Sequence, residues 1–334
     1  MSARPRPPSD PERRRAELLV KPEADGLPLL RFLTNRFRYL DRAGWSEAIS
    51  ADRLWINERL AGPGDILRTG DRLVFEMDDL PEPPVRADYR IVHRDEHLVA
   101  VDKPGNLPCH PGGRYFRHTL WHLLRQKEGI EKPRFLHRLD RETSGVVLVA
   151  RTAEAARAGR EAFVSGAVRK IYQVLVEGGF PSGTVHAAGW MAGEPDSLVR
   201  KRRRFFPEKD GIRPPAGDGD VRCCRTTFRL QARRGPLSLV VAVSKTGRLH
   251  QIRATLSALG FPVVGDKIYG VDETLFLRFL SDELTAADRS ALRLPRQALH
   301  AAGLRLPHPV TGTLLRLRAP LPAEMVELRN SFFS

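Results

Sequence analysis

The chain of 334 residues has little cysteine and no long apolar run. Its three cysteines are Cys109, Cys223 and Cys224. Three thiols cannot form a disulfide framework, and the adjacent pair has the wrong spacing for a zinc site, which favours a reducing compartment. No stretch approaches the ~18 apolar residues of a membrane span, and the first residues lack the apolar core of a secretory leader. We therefore expect a soluble cytoplasmic protein without a membrane partner.

The sequence also lacks the common cofactor motifs. There is no G-x-G-x-x-G following a strand, no Walker loop and no H-E-x-x-H. The string Pro108-Cys109-His110 is similar to part of a deaminase zinc motif, but no second cysteine follows at the required spacing. We therefore predict no metal and no nucleotide or flavin cofactor.

Positive charge is what the sequence has in excess. Lys and Arg number 55 against 40 Asp and Glu, which gives a formal net charge of +15. Such a balance favours a polyanionic partner, above all a nucleic acid, although an arginine-rich genome produces the same bias. Hydrophobic residues make up 41% of the chain, enough for a core, and the length suggests two domains.

The predicted organisation has four parts. Residues 1–28 read as a flexible basic tail, because they are rich in proline and arginine without periodicity. Residues 29–78 read as a small helix–helix–strand–strand module, with helices at 29–40 and 43–50. Residues 79–88 form a proline-rich linker, and residues 89–334 form the larger domain.

In the larger domain, predicted strands and helices are interspersed. The strands fall at 90–93, 98–101, 146–150, 171–176, 226–230 and 237–243, and the helices at 118–127 and 153–165. Because several neighbouring strands look hairpin-connected, we predict an α+β fold with a mixed, largely antiparallel central sheet flanked by helices and loops.

The clearest candidate site is the string 137–145, which leads directly into an apolar strand. Asp140 lies there at a turn between Arg138 and Arg141, with Thr143 able to brace the turn. A carboxylate near arginine stays ionised at neutral pH, which suits a nucleophile or an electrostatic stabiliser better than a general acid. Taken alone, the string is equally typical of a salt-bridged structural turn.

Three further strings could serve a nucleic acid. Arg248, Gln251 and Arg253 lie at the start of a predicted helix, where they could contact RNA or simply be polar helix residues. Tyr172 enters a strand and could be an ordinary core residue. The run 200–206, which includes Arg202 and Arg203, reads as a polar loop that either meets solvent or contacts RNA.

Taken together and in order, these strings resemble one family. HRLDRETSGVVLVA (137–150), K-x-Y (170–172), TGRLHQIR (246–253) and VVGDKIYG (263–270) are similar to the motifs of the RluA-type pseudouridine synthases. The resemblance extends from about residue 89 to the C-terminus. It implies the pseudouridine synthase fold and the isomerisation of uridine to pseudouridine in structured ribosomal or transfer RNA, without a cofactor. Residues 29–78 are more loosely similar to the RNA-binding module of the ribosomal-protein-S-four kind.

The resemblance also implies roles for individual residues. Asp140 corresponds to the catalytic aspartate, Tyr172 to the tyrosine that stacks on the base and helps move a proton, and Arg253 to the arginine that pairs with the carboxylate. Arg138 corresponds to the residue that fills the gap left by the flipped uridine. Further RNA contacts are expected at His137, Arg141, Thr143, Arg248, Gln251, Arg202 and Arg203, and we expect a monomer.

The sequence departs from the family pattern near the second motif. Leu249 stands where threonine is common, and Ala254-Thr255 follow Arg253 where a histidine is frequent two positions on. Two other classes of protein were weighed. A non-catalytic RNA-binding protein would be favoured by the loss of Asp140, Tyr172 or Arg253, and a carboxylate glycosidase would need a second carboxylate in a matching motif. Since the three residues are present and no such motif is found, catalysis on RNA is the favoured interpretation.

Overall fold

The computed structural model describes residues 15–37, 40–76, 81–208, 211 and 221–333, except for the side chain of residue 333. The described chain divides into two compact units. The first comprises the residues up to Pro84 together with His110–Arg117, and the second comprises Val85–Cys109 and His118 onward. No helix in these described ranges is both long and apolar enough to cross a bilayer.

The first unit is a small α/β module. Its elements are β1 (Arg15–Leu19), a 3₁₀ turn (Pro22–Ala24), α1 (Leu29–Arg36), α2 (Arg42–Ser50), β2 (Leu54–Ile56), β3 (Arg59–Leu60) and β4 (Arg72–Glu76). The strands form an antiparallel sheet in the order β1-β4-β2-β3. Buried Trp45 and the leucines of α1 pack in its core, and the Asp41 carboxylate caps α2 by accepting the Gly44 amide at 2.8 Å.

The predicted tail needs a correction at its C-terminal half. Residues 15–19 form β1 and pair with β4 over its whole length, from Arg15 opposite Glu76 to Leu19 opposite Arg72. Residues 15–28 are therefore structured. Their sequence has no strand periodicity, but the hydrogen bonds with the distant β4 stabilise β1. Residues 1–14 lie outside the described residues.

The second unit is built on one large sheet. Its strands are β5 (Arg90–Arg94), β6 (Leu98–Lys103), β7 (Arg134–Phe135), β8 (Ser144–Ala150), β9 (Arg169–Glu177), β10 (Thr184–Gly193), β11 (Arg203–Pro207), β12 (Arg222–Arg234), β13 (Leu237–Ser244), β14 (Leu299–Pro307) and β15 (Leu314–Arg318). Its helices are α3 (Leu120–Glu128), α4 (Ala153–Ser165), α5 (Gln251–Ala258), α6 (Thr274–Leu280), α7 (Ala286–Leu292) and α8 (Ala323–Phe333).

The order of strands confirms the predicted mixed, largely antiparallel sheet. The order is β11-β10-β12-β13-β9-β14-β8-β6-β5, with β15 added at β14 and β7 at β8. Within this sheet only the β14–β8 pairing is parallel. The predicted helix at 153–165 coincides with α4, because Thr152 caps its start through the Ala155 amide and Gly166 ends it in a left-handed conformation.

One strand of this sheet is central to the site. All seven residues of β8 are buried, since one face packs with α4 and the other with α3. A Cβ at Gly145 would lie 2.2 Å from the carbonyl oxygen of Ala301, so only glycine permits β8 and β14 to come together there. The loop that precedes β8 is thereby held against the rigid centre of the sheet.

The run 200–206 is only partly the loop that was predicted. Residues 203–207 form β11, which pairs antiparallel with β10, from Arg203 opposite Gly193 to Pro207 opposite Gly189. Phe205 is buried in the core beneath the strand. The run of cations predicts a loop from the sequence alone. The segment forms a strand because it pairs with β10 and buries one phenylalanine.

Candidate active site

Asp140 lies in the tight turn before β8. The Thr143 amide donates to the Asp140 carbonyl oxygen at 3.2 Å, and Gln297 braces the turn from the segment before β14. The Gln297 amide nitrogen lies 2.6 Å from the Thr143 hydroxyl and 3.4 Å from the Asp140 carboxylate. The turn is therefore fixed both by its own backbone and by a distant part of the chain.

A buried arginine joins Asp140 to a second carboxylate. Arg253, in the first turn of α5, donates through one terminal nitrogen to Asp140 at 2.8 Å. Its other nitrogens donate to Asp266 at 2.6 and 2.9 Å. Asp266 also accepts the backbone amides of Ile268 and Tyr269. The sequence indicated Asp140 and Arg253, but it gave Asp266 no role although Asp266 lies in the fourth motif.

The surroundings of Asp140 keep its carboxylate charged. Burial opposes ionisation, but nearby His250 and Arg253, with hydrogen bonds from Arg253 and Gln297, lower the pKa of Asp140 to about 2. Because burial and the neighbouring Arg253 lower the pKa of His250 to about 4, the imidazole is neutral at pH 7 and Arg253 supplies the adjacent positive charge. The Asp140 side chain is 26% exposed, so the anion can still be reached by a substrate.

His250 was not singled out as a site residue in the sequence, although it stands inside the TGRLHQIR motif. Its Nε2 lies 3.9 Å from the Asp140 carboxylate, and its Nδ1 lies 2.9 Å from the Tyr269 hydroxyl. His250 has a φ of 57°, which is rare for a residue other than glycine. Its position between Arg248 and Gln251 in a recognised motif was the available signal.

Tyr172 lies on β9 and packs against two hydrophobic clusters, one of which contains Leu139 and the other Ile252. Burial raises the pKa of its phenol, and the negative charge of Asp140 raises it further. The hydroxyl therefore stays protonated at neutral pH. Asp140 is near enough for its charge to act on the phenol.

Several predicted RNA contacts are available at the surface. Arg138 is exposed and makes no ion pair with any residue in the described ranges. Arg248 is also exposed, and its Nε donates to the Cys223 carbonyl oxygen at 3.0 Å. Arg141 is half-buried, lies 3.3 Å from Glu142 and stacks over the Phe279 ring at 5.2 Å. Arg138 and Arg141 flank Asp140 in the chain, and Arg248 lies in the loop before α5.

Two other predicted contacts are buried, which conflicts with a direct RNA role. Thr143 is 2% exposed and accepts from Gln297. Gln251 is 4% exposed, and its amide nitrogen donates to the Thr226 hydroxyl at 2.8 Å and the Ser244 hydroxyl at 3.0 Å. Its amide oxygen accepts the Thr246 hydroxyl and the Arg248 amide. Both side chains hold loops in place, because a buried amide or hydroxyl must find its partners inside the protein.

Three more predicted contacts have internal partners. His137 accepts the Leu148 amide at 3.1 Å and stacks on a phenylalanine of α4, and burial lowers its pKa to about 3. Arg202 forms ion pairs with Glu194 at 3.2 Å and Glu273 at 3.0 Å. The Arg203 backbone amide donates to the Tyr269 hydroxyl at 2.8 Å. The described geometry gives His137 and Arg202 structural roles.

Two buried lysines were missed as supports of the site. The Lys103 ammonium donates to the carbonyl oxygens of Leu107 at 2.9 Å and Arg141 at 3.2 Å. The Lys170 ammonium donates to the Thr246 carbonyl oxygen at 2.7 Å. Burial lowers the pKa of both to about 8. Each lysine holds one of the two loops that face each other across Asp140, and the DKPG and K-x-Y strings were the sequence signals.

Comparisons with known proteins identify the family that this chain resembles. The sequence model of a family described as RNA pseudouridylate synthase matches residues 97–258. The ribosomal large subunit pseudouridine synthase D of Pseudomonas aeruginosa is 30% identical over 86% of this chain and 85% of its own. The protein of the same name from Xanthomonas campestris is 30% identical over 94% and 92%. The solved structure of human RNA pseudouridylate synthase domain containing 1 aligns with a TM-score of 0.55 and 25% identity, over 72% of this chain and 86% of that one.

Proposed function

The chain belongs to the RNA pseudouridine synthase family, whose members are RNA-modifying isomerases, and we propose that Asp140 is its catalytic residue. The observation that carries this proposal is the sequence of contacts Asp140–Arg253–Asp266. It holds an ionised carboxylate in a place where part of its surface remains open. An ionised, partly exposed carboxylate is what a nucleophile or an electrostatic stabiliser needs.

The isomerisation explains why few reacting groups suffice. The bond from ribose C1′ to uracil N1 breaks, the bond from C1′ to C5 forms, the proton on C5 leaves, and N1 gains a proton. Atoms and charge balance without an oxidant or a phosphate donor. Asp140 either attacks the ribose C1′ or the base ring, or stabilises the charge that develops there, and Arg253 orients it throughout.

The base must leave its stack before Asp140 can reach it. Flipping costs a few kcal/mol, and stacking of the uracil on Tyr172, at about 1–3 kcal/mol per base, offsets part of this cost. The exposed Arg138 is placed next to the catalytic turn and would occupy the gap in the RNA. In this proposal Tyr172 binds the flipped base, and Arg138 fills the gap that the base leaves in the RNA helix.

We propose ribosomal RNA of the large subunit as the substrate, and transfer RNA as the second candidate. Two relatives that match over most of the chain, the proteins of Pseudomonas aeruginosa and Xanthomonas campestris, are named for the large ribosomal subunit. The α/β module of residues 15–76 would add phosphate contacts, because α1 and α2 expose Arg31 and Arg42. The enzyme would act as a monomer in the cytoplasm, where ribosomal RNA is assembled.

The catalytic role is tested by release of tritium from uracil C5 in labelled RNA. Asp140→Asn keeps the shape of the side chain and removes its charge, and we expect release to stop. Asp196→Asn removes an exposed carboxylate in the same unit and should release tritium at the wild-type rate. Wild-type release by Asp140→Asn would overturn the proposal.

The substrate is tested by comparing C5-labelled large-subunit ribosomal RNA with labelled transfer RNA. We expect turnover on the ribosomal RNA, and turnover on transfer RNA alone would replace the first candidate with the second. The double variant Arg31→Gln/Arg42→Gln should bind RNA more weakly with a flatter dependence on salt, while keeping its rate at saturating RNA. A lower rate at saturation would contradict a purely binding role for the module.

A further inference from the structure

His250 is held in a chain of polar groups that ends at the catalytic carboxylate. The Arg203 amide of β11 donates to the Tyr269 hydroxyl at 2.8 Å, and that hydroxyl lies 2.9 Å from His250 Nδ1. On the other side of the ring, Nε2 lies 3.9 Å from an oxygen of Asp140. Only 7% of the His250 side chain is exposed, so its polar atoms depend on partners inside the site.

These contacts fix which nitrogen of His250 carries the hydrogen. Tyr269 is buried, and its hydroxyl keeps its own hydrogen because burial raises the pKa of the phenol. If the hydroxyl accepted from both Arg203 and His250, that hydrogen would have no acceptor among the described residues, which is costly in a buried position. The favoured arrangement has the Tyr269 hydroxyl donating to Nδ1. A neutral His250 then carries its hydrogen on Nε2, the nitrogen that faces Asp140.

The Nε2–H group has no acceptor of its own in the described residues. A separation of 3.9 Å from Asp140 is too long for a hydrogen bond, so the donor faces the carboxylate across a gap. The backbone of His250 is held in a left-handed conformation to achieve this, with a φ of 57° at the start of α5. A strained residue at a site is retained when the surrounding structure fixes it there.

We propose that His250 contacts the substrate, and that its Nε2–H donates a hydrogen bond to an acceptor oxygen of the uridine held beside Asp140. The inference rests on the proposed function, since it takes Asp140 to be the reacting carboxylate. The Tyr269 hydroxyl and the Arg203 amide act through His250 by fixing its tautomer. Through this chain, β11 is connected to the reacting centre.

Two conservative substitutions of His250 distinguish the role of Nδ1 from the role of Nε2. Asparagine tolerates a positive φ, and its side-chain amide reaches the Nδ1 position but not the Nε2 position. Glutamine extends one carbon further and presents an NH₂ group near the Nε2 position. His250→Asn therefore removes the proposed donor and keeps the contact with Tyr269, whereas His250→Gln restores a donor.

The measurement is single-turnover tritium release from C5-labelled RNA at saturating enzyme, with RNA affinity and the thermal unfolding midpoint measured for each variant. We expect His250→Asn to lower the rate about 10- to 100-fold with unchanged RNA affinity, and His250→Gln to recover at least half of this loss on a logarithmic scale. Tyr269→Phe, which frees the tautomer, should lower the rate about threefold to tenfold. It also provides a second readout if His250→Asn does not fold.

Equal losses in His250→Asn and His250→Gln, or wild-type rates in His250→Asn and Tyr269→Phe, would overturn the inference. Asp140→Asn is assayed in parallel to separate the two proposals. If Asp140→Asn is inactive while His250→Asn keeps the wild-type rate, only the role of His250 fails. If Asp140→Asn keeps its activity, the proposed function itself fails.

Discussion

The buried side of the active site and its exposed rim use arginine in different ways. On the buried side, Arg253 is surrounded by protein and makes ion pairs with two carboxylates, Asp140 and Asp266. On the rim, Arg138 and Arg248 are exposed, and neither forms an ion pair with a described residue. The same residue type therefore keeps the Asp140 carboxylate charged in one region and is exposed to solvent in the other.

The reason for the difference is the cost of burying charge. A buried guanidinium is tolerated only with well-placed acceptors, so its partners are part of the fold and cannot be exchanged singly. An exposed guanidinium stays hydrated, and it can replace some of its water molecules with a contact to a phosphate. We expect changes on the buried side to act on stability and catalysis together, and changes on the rim to act mainly on RNA affinity.

The largest expected effect follows from Arg253→Met. It leaves Asp266 buried without its cation, which should lower the free energy of unfolding by about 3–5 kcal/mol, and tritium release should fall at least 1,000-fold. Urea unfolding and the release assay measure the two effects. The matched rim variant, Arg138→Met, should leave the free energy of unfolding within about 0.5 kcal/mol of wild type. Similar losses of stability in both variants would remove the distinction between the regions.

The second-largest effect is expected from acidification, which should lower the free energy of unfolding through buried histidines. Burial lowers the pKa of His137 to about 3 and of His250 and His300 to about 4, below the ordinary value of 6.5. Between pH 6.5 and 4 the unfolded chain therefore binds protons that the folded chain does not, and stability falls as the pH falls. We expect a loss of about 2–4 kcal/mol between pH 6 and pH 5, measured by urea unfolding at each pH.

The control for this prediction is His186→Gln, which removes an exposed histidine on β10. It should leave the dependence of stability on pH unchanged. A flat wild-type profile down to pH 5 would show that the three buried rings are protonated in the folded protein at little cost.

A smaller effect is expected from Gln251→Leu. The change fits the space but leaves the polar partners of Gln251 in β12 and β13 unsatisfied, at about 1–3 kcal/mol in all. Since Gln251 fixes the start of α5, next to His250 and in the same turn as Arg253, tritium release should also fall while RNA affinity stays the same. Filter binding measures RNA affinity and urea unfolding measures stability. A loss of RNA affinity without a loss of stability would show that Gln251 contacts RNA directly.

The smallest effect is expected from Arg138→Ala. It should weaken RNA binding by about 1 kcal/mol and reduce the slope of log affinity against log salt by about 0.7–0.9, because the guanidinium that occupies the gap left by the uridine would also neutralise an adjacent phosphate. Binding titrations at several salt concentrations measure both quantities. An unchanged slope would place Arg138 away from the phosphates and leave only its proposed place in the helix gap.

The sequence was most informative where chemistry or periodicity is local. The apolar strand at 146–150 and the helix at 153–165 were predicted because each element carries its own local hydrophobic pattern. β1 and β11 were missed, since both contain several charged residues and are strands only because of their pairing with β4 and β10. Local composition does not show that such a segment will find a partner strand.

For the site, the sequence by itself determined the chemical groups: Asp140, Tyr172 and Arg253 stand in ordered motifs whose residue types suit the reaction. Only the tertiary structure decided which polar residues face inward. It buried Thr143 and Gln251 as supports, and it placed His250 near the Asp140 carboxylate and Asp266 against Arg253. The physical reason is that the charge state and accessibility of a side chain depend on what surrounds it. Here the neighbours of Asp140 come from positions more than 100 residues further along the chain.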